Sequence, residues 1–499
     1  MAIEVVARQE SLAQLSGTVV VPVTPELQVA GWGEALDSAL GAWFLRAIRA
    51  LGLAGRVGQA GVLPPCDGMA AERVILVGVG AATQRTATDL RRAAAFATKL
   101  AIEAGGRNLA WPVVPVTDGS AAVAAQAIVE GTILASYRFH RYRGSETSSS
   151  LDRLLLVTAD PLVASGLQRG RLWGEAVTLA RDLTNEPANV LSPERLAGFA
   201  WEVASAVGLE CTVYDHAALE ELGAGAMLAV GAGSRHEPRL IHLTYRPSSP
   251  TRGRVALVGK AVTFDSGGLS LKPAEGMERM KGDMAGGAVV LAVMRALPAL
   301  SLPLEVHGIV AAAENMPDGG AFRPGDILRT LSGKTVEVIS TDAEGRLLLA
   351  DALSFAVRHG AELLVDIATL TGACAVALGR GGSGVFGNDD RARDLLLRAA
   401  AEVGERMWPL PLWDEYRDAL RSEHADLKNT AGRWGAAINA ALFLREFTAG
   451  RPWLHLDIAG PAWAEQGGVF GPAGATGHGV RTLLRFLELW AGRDEGPPA

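Results

Sequence analysis

Short, unbroken apolar runs alternating with amphipathic stretches constrain this chain more than any other feature. Arg73–Gly78, Arg153–Thr158, Leu304–Ala312 and Leu363–Ala368 read as strands, and Val255–Gly259 as a strand buried on both faces. Between them Thr88–Ala104, Leu172–Leu183, Met284–Leu297 and Leu347–His359 read as helices, and the second of these stops at Asn185-Glu-Pro-Ala-Asn. Asp326–Leu331 and Thr335–Ser340 flank Ser332-Gly-Lys, a hairpin signature. Strands alternating with helices specify layered α/β domains, which place their chemistry beyond the carboxyl ends of the strands. At 499 residues the chain is too long for one ordinary domain. The division is expected near residues 160–175, giving a smaller α/β domain over 1–165 and a larger one over 166–499.

The composition excludes several classes. Hydrophobic residues at 49% and charged residues at 20% rule out a disordered, collagenous or coiled-coil chain. Cys66, Cys211 and Cys374 form no CxxC pair and are too few to staple a chain this long. The start, MAIEVVARQESLAQL, carries Glu4 and Arg8 and no apolar core of a signal peptide. The greasiest segment, LLVDIATLTGACAVAL, is interrupted by Asp366 and too short to span a bilayer. A soluble cytoplasmic protein with no membrane partner is the expectation. The net charge of −7 falls entirely after residue 165: residues 1–165 carry 14 basic and 14 acidic side chains, the remainder 33 and 40. Extended contact with a polyanion needs a basic surface, so nucleic acid is a disfavoured partner.

Three motifs invite a function and fail on context. Ser332-Gly-Lys-Thr ends like a phosphate loop, but Leu328 stands where its first glycine is required and the setting is a hairpin. Gly78-Val-Gly-Ala-Ala-Thr follows a strand, yet Thr83 replaces the last small residue of a dinucleotide fingerprint. The stretch Tyr137-Arg-Phe-His-Arg-Tyr-Arg143 interleaves aromatic and basic residues as single-strand binders do, but reads more simply as a half-buried strand with one charged face, followed by a Ser-rich loop to residue 150. The nine histidines form no HExxH or HxH pair, and no GxSxG elbow is present.

What remains is a concentration of carboxylates and lysines in two segments, VGKAVTFDSGGLSLKPAEGMERMKGDM (258–284) and ISTDAEGRLLLADAL (339–353). Lys260 and Asp265 are expected just after a strand end, Asp283 at the start of a helix, and Asp342 and Glu344 after another strand. Each has an ordinary alternative: Asp283 and Asp342 as helix caps, Lys260 and Lys272 as solvated loop lysines. Four carboxylates at one sheet edge repel strongly unless neutralised. Two divalent cations would cancel their charge, with two bridging carboxylates holding the metals about 3.5–4 Å apart.

Taken in order, KAVTFDSGG, KGDM, STDAEGRLLLADAL and ATLTGAC resemble the leucyl aminopeptidase (cytosol aminopeptidase) family of dinuclear metallopeptidases. RDLTNEPANVLSPERLA (181–197), ENMPDGGAFRPGD (314–326), HADLKNTAGRWGAAINAALFLREF (424–447) and HLDIAGPAW (455–463) extend the likeness over roughly residues 175–490, while the N-terminal part matches only loosely. The resemblance implies a catalytic second domain with a central mixed sheet flanked by helices. It implies a tighter metal held by Lys260, Asp265, Asp283 and Glu344, and a more exchangeable one held by Asp265, Asp342 and Glu344. Zinc, manganese or cobalt would suit such ligands. Lys272 would stabilise charge developing on the scissile carbonyl, and Arg346 would hold a bicarbonate that shuttles a proton, helped by backbone near Gly345 and Leu370. Met280, Thr369 and Gly372 would line the site, Met280 facing the side chain of an apolar, unblocked N-terminal residue.

The same resemblance implies a homohexamer of two stacked trimers acting on peptides. Some bacterial relatives also serve as DNA-binding architectural proteins, which is the alternative. Two departures from the family pattern are Ser340, where Asn is common, and His478, where an aromatic residue is frequent.

Overall fold

The apolar runs become strands of two sheets in the computed structural model, which describes residues 3–32, 38–65, 67–144 and 150–493. Cys66 and residues 145–149 of the Ser-rich stretch lie outside the described residues.

The first compact unit comprises residues 1–178 together with 466–473. Its six-stranded sheet runs Glu4–Arg8, Arg153–Val157, Asn108–Pro112, Thr18–Val23, Arg73–Gly78, Ala60–Leu63, parallel except for the last pair. Thr18–Val23, four valines among its six residues, is wholly buried, as an apolar run in a central parallel strand should be. The helix Ala87–Glu103 starts at a capping box, where Thr86 and Asp89 satisfy each other's backbone N–H groups. It packs on Ala121–Ser136, with the buried Arg91–Glu130 ion pair (2.7 Å) between them. The half-buried strand expected at 137–143 does not form. Residues after Ser136 run irregularly into a turn, and Arg138 instead donates to the carbonyls of Ala135 and Tyr137 at the end of the helix. Lone carbonyls at a helix terminus compete for a guanidinium that a strand would leave in solvent.

The second unit comprises residues 179–465 and 474–499. The sequence reading divides the chain at 165; the structure divides it at 178/179, inside the helix Val163–Asn185, which begins nine residues earlier than its apolar periodicity suggests. The eight-stranded mixed sheet runs Met407–Pro409, Ser383–Gly387, Trp453–Asp457, Leu363–Ala368, Arg254–Asp265, Glu305–Asn315, Arg239–Tyr245, Glu210–Tyr214. The four strands from Trp453–Asp457 to Glu305–Asn315 are mutually parallel, so their carboxyl ends share one edge. Helices Ala285–Leu300 and Gly345–Arg358 cover the sheet and are themselves nearly buried. Among the described residues, Met277–Leu300 is the one stretch long and apolar enough to cross a bilayer, and 78% of its most apolar 18-residue window is buried inside the protein. The segment LLVDIATLTGACAVAL instead splits into the strand Leu363–Ala368 and the helix Gly372–Leu378.

Every residue from Gly345 to Ala356 is buried. At its centre Asp351, fully buried, accepts from Leu331 N (2.7 Å) and Met227 N (2.9 Å), tying this helix to the Ile327–Arg329/Thr335–Glu337 hairpin and to the start of helix Gly225–Gly231. Burial pushes its carboxyl up to about 7, against the pull of those N–H groups. Asp351→Ala would strand two buried donors, each worth about 1–3 kcal/mol. Urea unfolding should show a loss of about 2 kcal/mol or more, and an unchanged midpoint would contradict this account.

Candidate active site

A cavity of about 800 Å³ lies within the second unit, lined by Asp265 at the end of one parallel strand and by residues that follow two others. Asp265 and Asn315 are the last residues of paired strands and stand opposite each other in register. Thr369 and Leu370 follow Leu363–Ala368, and Asp457 ends its own strand. All twelve positions singled out above line this cavity: Lys260, Asp265, Lys272, Met280, Asp283, Asp342, Glu344, Gly345, Arg346, Thr369, Leu370 and Gly372.

Lys260 sits differently from its expected place. The strand runs on to Asp265, so Lys260 lies within it rather than on the loop beyond. Its ammonium group is 2.7 Å from Asp283 Oδ2 and 3.0 Å from Glu344 Oε1, and it donates to Thr369 O (3.0 Å). Those partners let a lysine occupy a buried strand position that sequence periodicity reserves for apolar residues. Burial works against the charge of Lys260, but Asp283, Glu344 and Asp265 outweigh it and hold the pKa above the ordinary lysine value. Its stem passes so close to Gly345 that a Cβ there would lie 2.5 Å from Lys260 Cε.

The capping alternatives also fail. Asp283 follows the 3-10 turn Met277–Gly282, and the residue at the head of helix Ala285–Leu300 is Met284. Asp283 Oδ1 accepts from Thr369 Oγ1 (2.7 Å) instead. Glu344, not Asp342, heads helix Gly345–Arg358, and its side chain caps nothing. Lys272 comes back into the site because Gly267 and Gly268, both at positive φ, turn the loop so that Lys272 N donates to Ser266 O (2.9 Å). Its ammonium group contacts Asp265 Oδ2 (2.7 Å) and Asp342 Oδ1.

The electrostatics follow from crowding. Burial first, and then the neighbouring Asp265 and Asp283, push Glu344 up to about 8 despite the lysines; burial, with Asp265, raises Asp283 to about 6 against Lys260 and Lys272. Asp342 is the open member, with its side chain 41% exposed, whereas Asp265, Asp283 and Glu344 are buried. Ligand oxygens of Asp265, Asp342 and Glu344 lie within 4.8 Å of one another. Glu344 Oε2 is buried without a hydrogen-bond partner, and so is Arg346 Nε. An orphaned carboxylate oxygen among three acids fits a cation, and an orphaned guanidinium nitrogen fits an anion. Arg346 Nη1 is already committed to Asn429 O (2.9 Å). Burial pulls Arg346 down to about 10 against the nearby Glu344, Asp457 and Asp342.

Three residues of the site escaped the reading of charges. Asn315 Nδ2 donates both to Asp265 Oδ1 (2.9 Å) and to Thr341 O (3.0 Å). Asn429 spans the loop before Asp342. Asp457 accepts from Leu370 N, Thr371 N, Ala459 N and Thr371 Oγ1, fixing the loop beside the cavity. Asp457 had a signal, an acid closing the apolar run WLHLD; the two asparagines had none. Ser340 makes a local bond, its Oγ accepting from Asp342 N (3.2 Å). His478 pairs with Ser383 Oγ (2.7 Å) and does not line the cavity.

Comparison with known proteins places this geometry. Residues 178–484 match the cytosol aminopeptidase family, catalytic domain, and residues 20–146 match the N-terminal domain of the same family, the part where the motif likeness was loose. A probable cytosol aminopeptidase of Solibacter usitatus (strain Ellin6076) is 46% identical over 439 residues, covering 88% of this chain and 91% of the relative. One from Syntrophotalea carbinolica (strain DSM 2380 / NBRC 103641 / GraBd1) is 45% identical over 466 residues, covering 91% and 93%. Among solved structures, the bottromycin maturation enzyme BotP in complex with Mn superposes with a TM-score of 0.84 at 41% identity, covering 98% of this chain and all of that one. A tomato leucine aminopeptidase mutant gives 0.86 at 34% identity, covering 97% and 96%. Nothing in these matches supports the DNA-binding alternative. The chain belongs to the cytosol aminopeptidase family and is a metal-dependent aminopeptidase.

Proposed function

We propose that this cavity removes apolar N-terminal residues from unblocked peptides with the help of two divalent cations, manganese or zinc, with cobalt also suited. The observation that carries the reading is Glu344 Oε2, buried and unpartnered among Asp265, Asp283 and Asp342. Lys260, Asp265, Asp283 and Glu344 would hold the tighter ion; Asp265, Asp342 and Glu344 would hold the other. The exposure of Asp342 supports giving it the more exchangeable ion. When bound, such cations lower the pKa of water and polarise an amide carbonyl.

The remaining work falls to the chain's own groups. Lys272 is a cation on a flexible stem at the mouth of the carboxylate cluster, 20% exposed and within reach of substrate. With the acids engaged by metal, its ammonium group is released to donate to the substrate oxygen as negative charge develops there. Arg346 offers its unpartnered Nε to a planar oxyanion such as bicarbonate, which would carry a proton to the leaving amine. Backbone at Gly345 and Leu370 faces the same space. Met280 and Ala375 give part of the wall an apolar surface, and methionine adapts to side chains of different shape. The family likeness further supports a homohexamer of two trimers, and the relatives' naming as cytosol enzymes supports a cytoplasmic location.

Purified protein should hydrolyse leucine anilide, lose activity on exhaustive chelation, and regain it with Mn²⁺ or Zn²⁺. Aspartate anilide should be a poor substrate because its carboxylate would enter an acid-rich cavity. Full activity in protein shown to be metal-free would overturn the metal mechanism, and equal rates on the two anilides the apolar pocket.

The two lysines should separate by experiment. Lys260→Ala should raise the metal concentration needed for activity. Lys272→Ala should retain metal and lose about 10²–10³ in kcat with a smaller change in KM. Metal titration calorimetry beside steady-state kinetics decides this, and the reverse pattern would exchange the two roles.

A further inference from the structure

We propose that Asn429 is a positioning residue that sets the affinity of the cation held through Asp342. The inference rests on the two-cation reading above.

Asp265 is fixed by its strand and by Asn315, and Glu344 by the head of a buried helix. Asp342 stands on neither: it lies between strand and helix with a partly exposed side chain that meets Lys272, so its position depends on the backbone of residues 339–343. Within that backbone Thr341 is tied to Ser270 and Asn315, and Asn429 holds the residues on either side of Thr341 and Asp342. It follows the two-residue strand Leu427–Lys428, which pairs in parallel with Thr335–Glu337, and its own N–H donates to Glu337 O (3.0 Å). Where the backbone pairing stops, the side-chain amide continues it. Oδ1 accepts from Ile339 N (2.8 Å) and Ser340 N (3.3 Å), and Nδ2 donates to Ser340 O (2.7 Å) and Ala343 O (3.3 Å).

The amide therefore uses both donors and both acceptor sites, and Asn429 is fully buried. Asp lacks the donors, Leu lacks everything but shape, and Gln is one methylene too long. The carbonyl of the same residue receives Arg346 Nη1, so one residue touches both the Asp342 loop and the arginine beside it. The side chain serves the loop and the backbone serves the arginine, and removing the side chain alone separates the two.

The test is titration of the metal-free full-length protein with Mn²⁺ by calorimetry. Wild type should bind two ions of unequal affinity. In Asn429→Ala the weaker class should lose about 10–100-fold in affinity, the range usual for a lost outer partner of a metal ligand, while the tighter class stays within about twofold. Asn429→Ser, which leaves room for a bridging water, carries the same test if the alanine variant does not fold. Asn388→Ala is the structural control, since Asn388 likewise bridges backbone, from Arg451 O (2.9 Å) to Trp453 N (2.7 Å), without lining the cavity. It should lose stability without changing either Mn²⁺ affinity. Unchanged affinities in the Asn429 variants, or equal weakening of both classes, would overturn the role of Asn429. A wild-type protein that binds one Mn²⁺ would refute the two-cation reading and this inference with it.

Discussion

Like charges forced together at the carboxyl edge of one sheet are the constraint that the rest of the second unit answers. Asp265, Asp283, Asp342 and Glu344 share a cavity in which three of them are buried. Lys260 and Lys272 offset the repulsion, one from within a strand and one from a returning loop. Each lysine sits against the acids that the proposed cations would engage. Such a cluster is a poor source of stability, because desolvating charge costs several kcal/mol per ion even when paired. The two apolar helices and the parallel strands supply the folding energy that lets the acids be held there.

Uncharged amides do the fine placement. Asn315 and Asn429 both bond the loop before Asp342, while a carboxylate, Asp457, fixes the loop after Leu363–Ala368. The Asn429 amide suits this because it satisfies donors and acceptors of a bent backbone at once without adding charge to a crowded site.

Much of this was legible in the chain. The order of strands and helices follows from apolar periodicity, and the acids stand out as a concentration of carboxylates and lysines in two segments, to which the family resemblance gives roles. Lys260 was seated one step wrong for a physical reason. A lysine normally terminates a buried run, and only its three carboxylate neighbours, which come from residues up to 84 positions away, let the strand continue through it. Asn429 was illegible because its partners are backbone atoms about 90 positions earlier, and backbone carries no sequence signal. Residues 137–143 misled for the opposite reason: a local alternation suggested a strand, but a helix end took Arg138.

The wide separation of the site's parts along the chain has a kinetic consequence. Trp453–Asp457 enters the sheet beside Leu363–Ala368, which itself pairs with Arg254–Asp265 more than a hundred positions earlier. Non-local parallel pairings are slow to form because long loops must close first. A chain emerging during synthesis has delivered all four acids by residue 344, yet Asn429 and Asp457 are still to come. The hydrogen bonds that fix the acid-bearing loops therefore arrive late, so newly made chains pass through a stage in which the acids are present but not yet held in place.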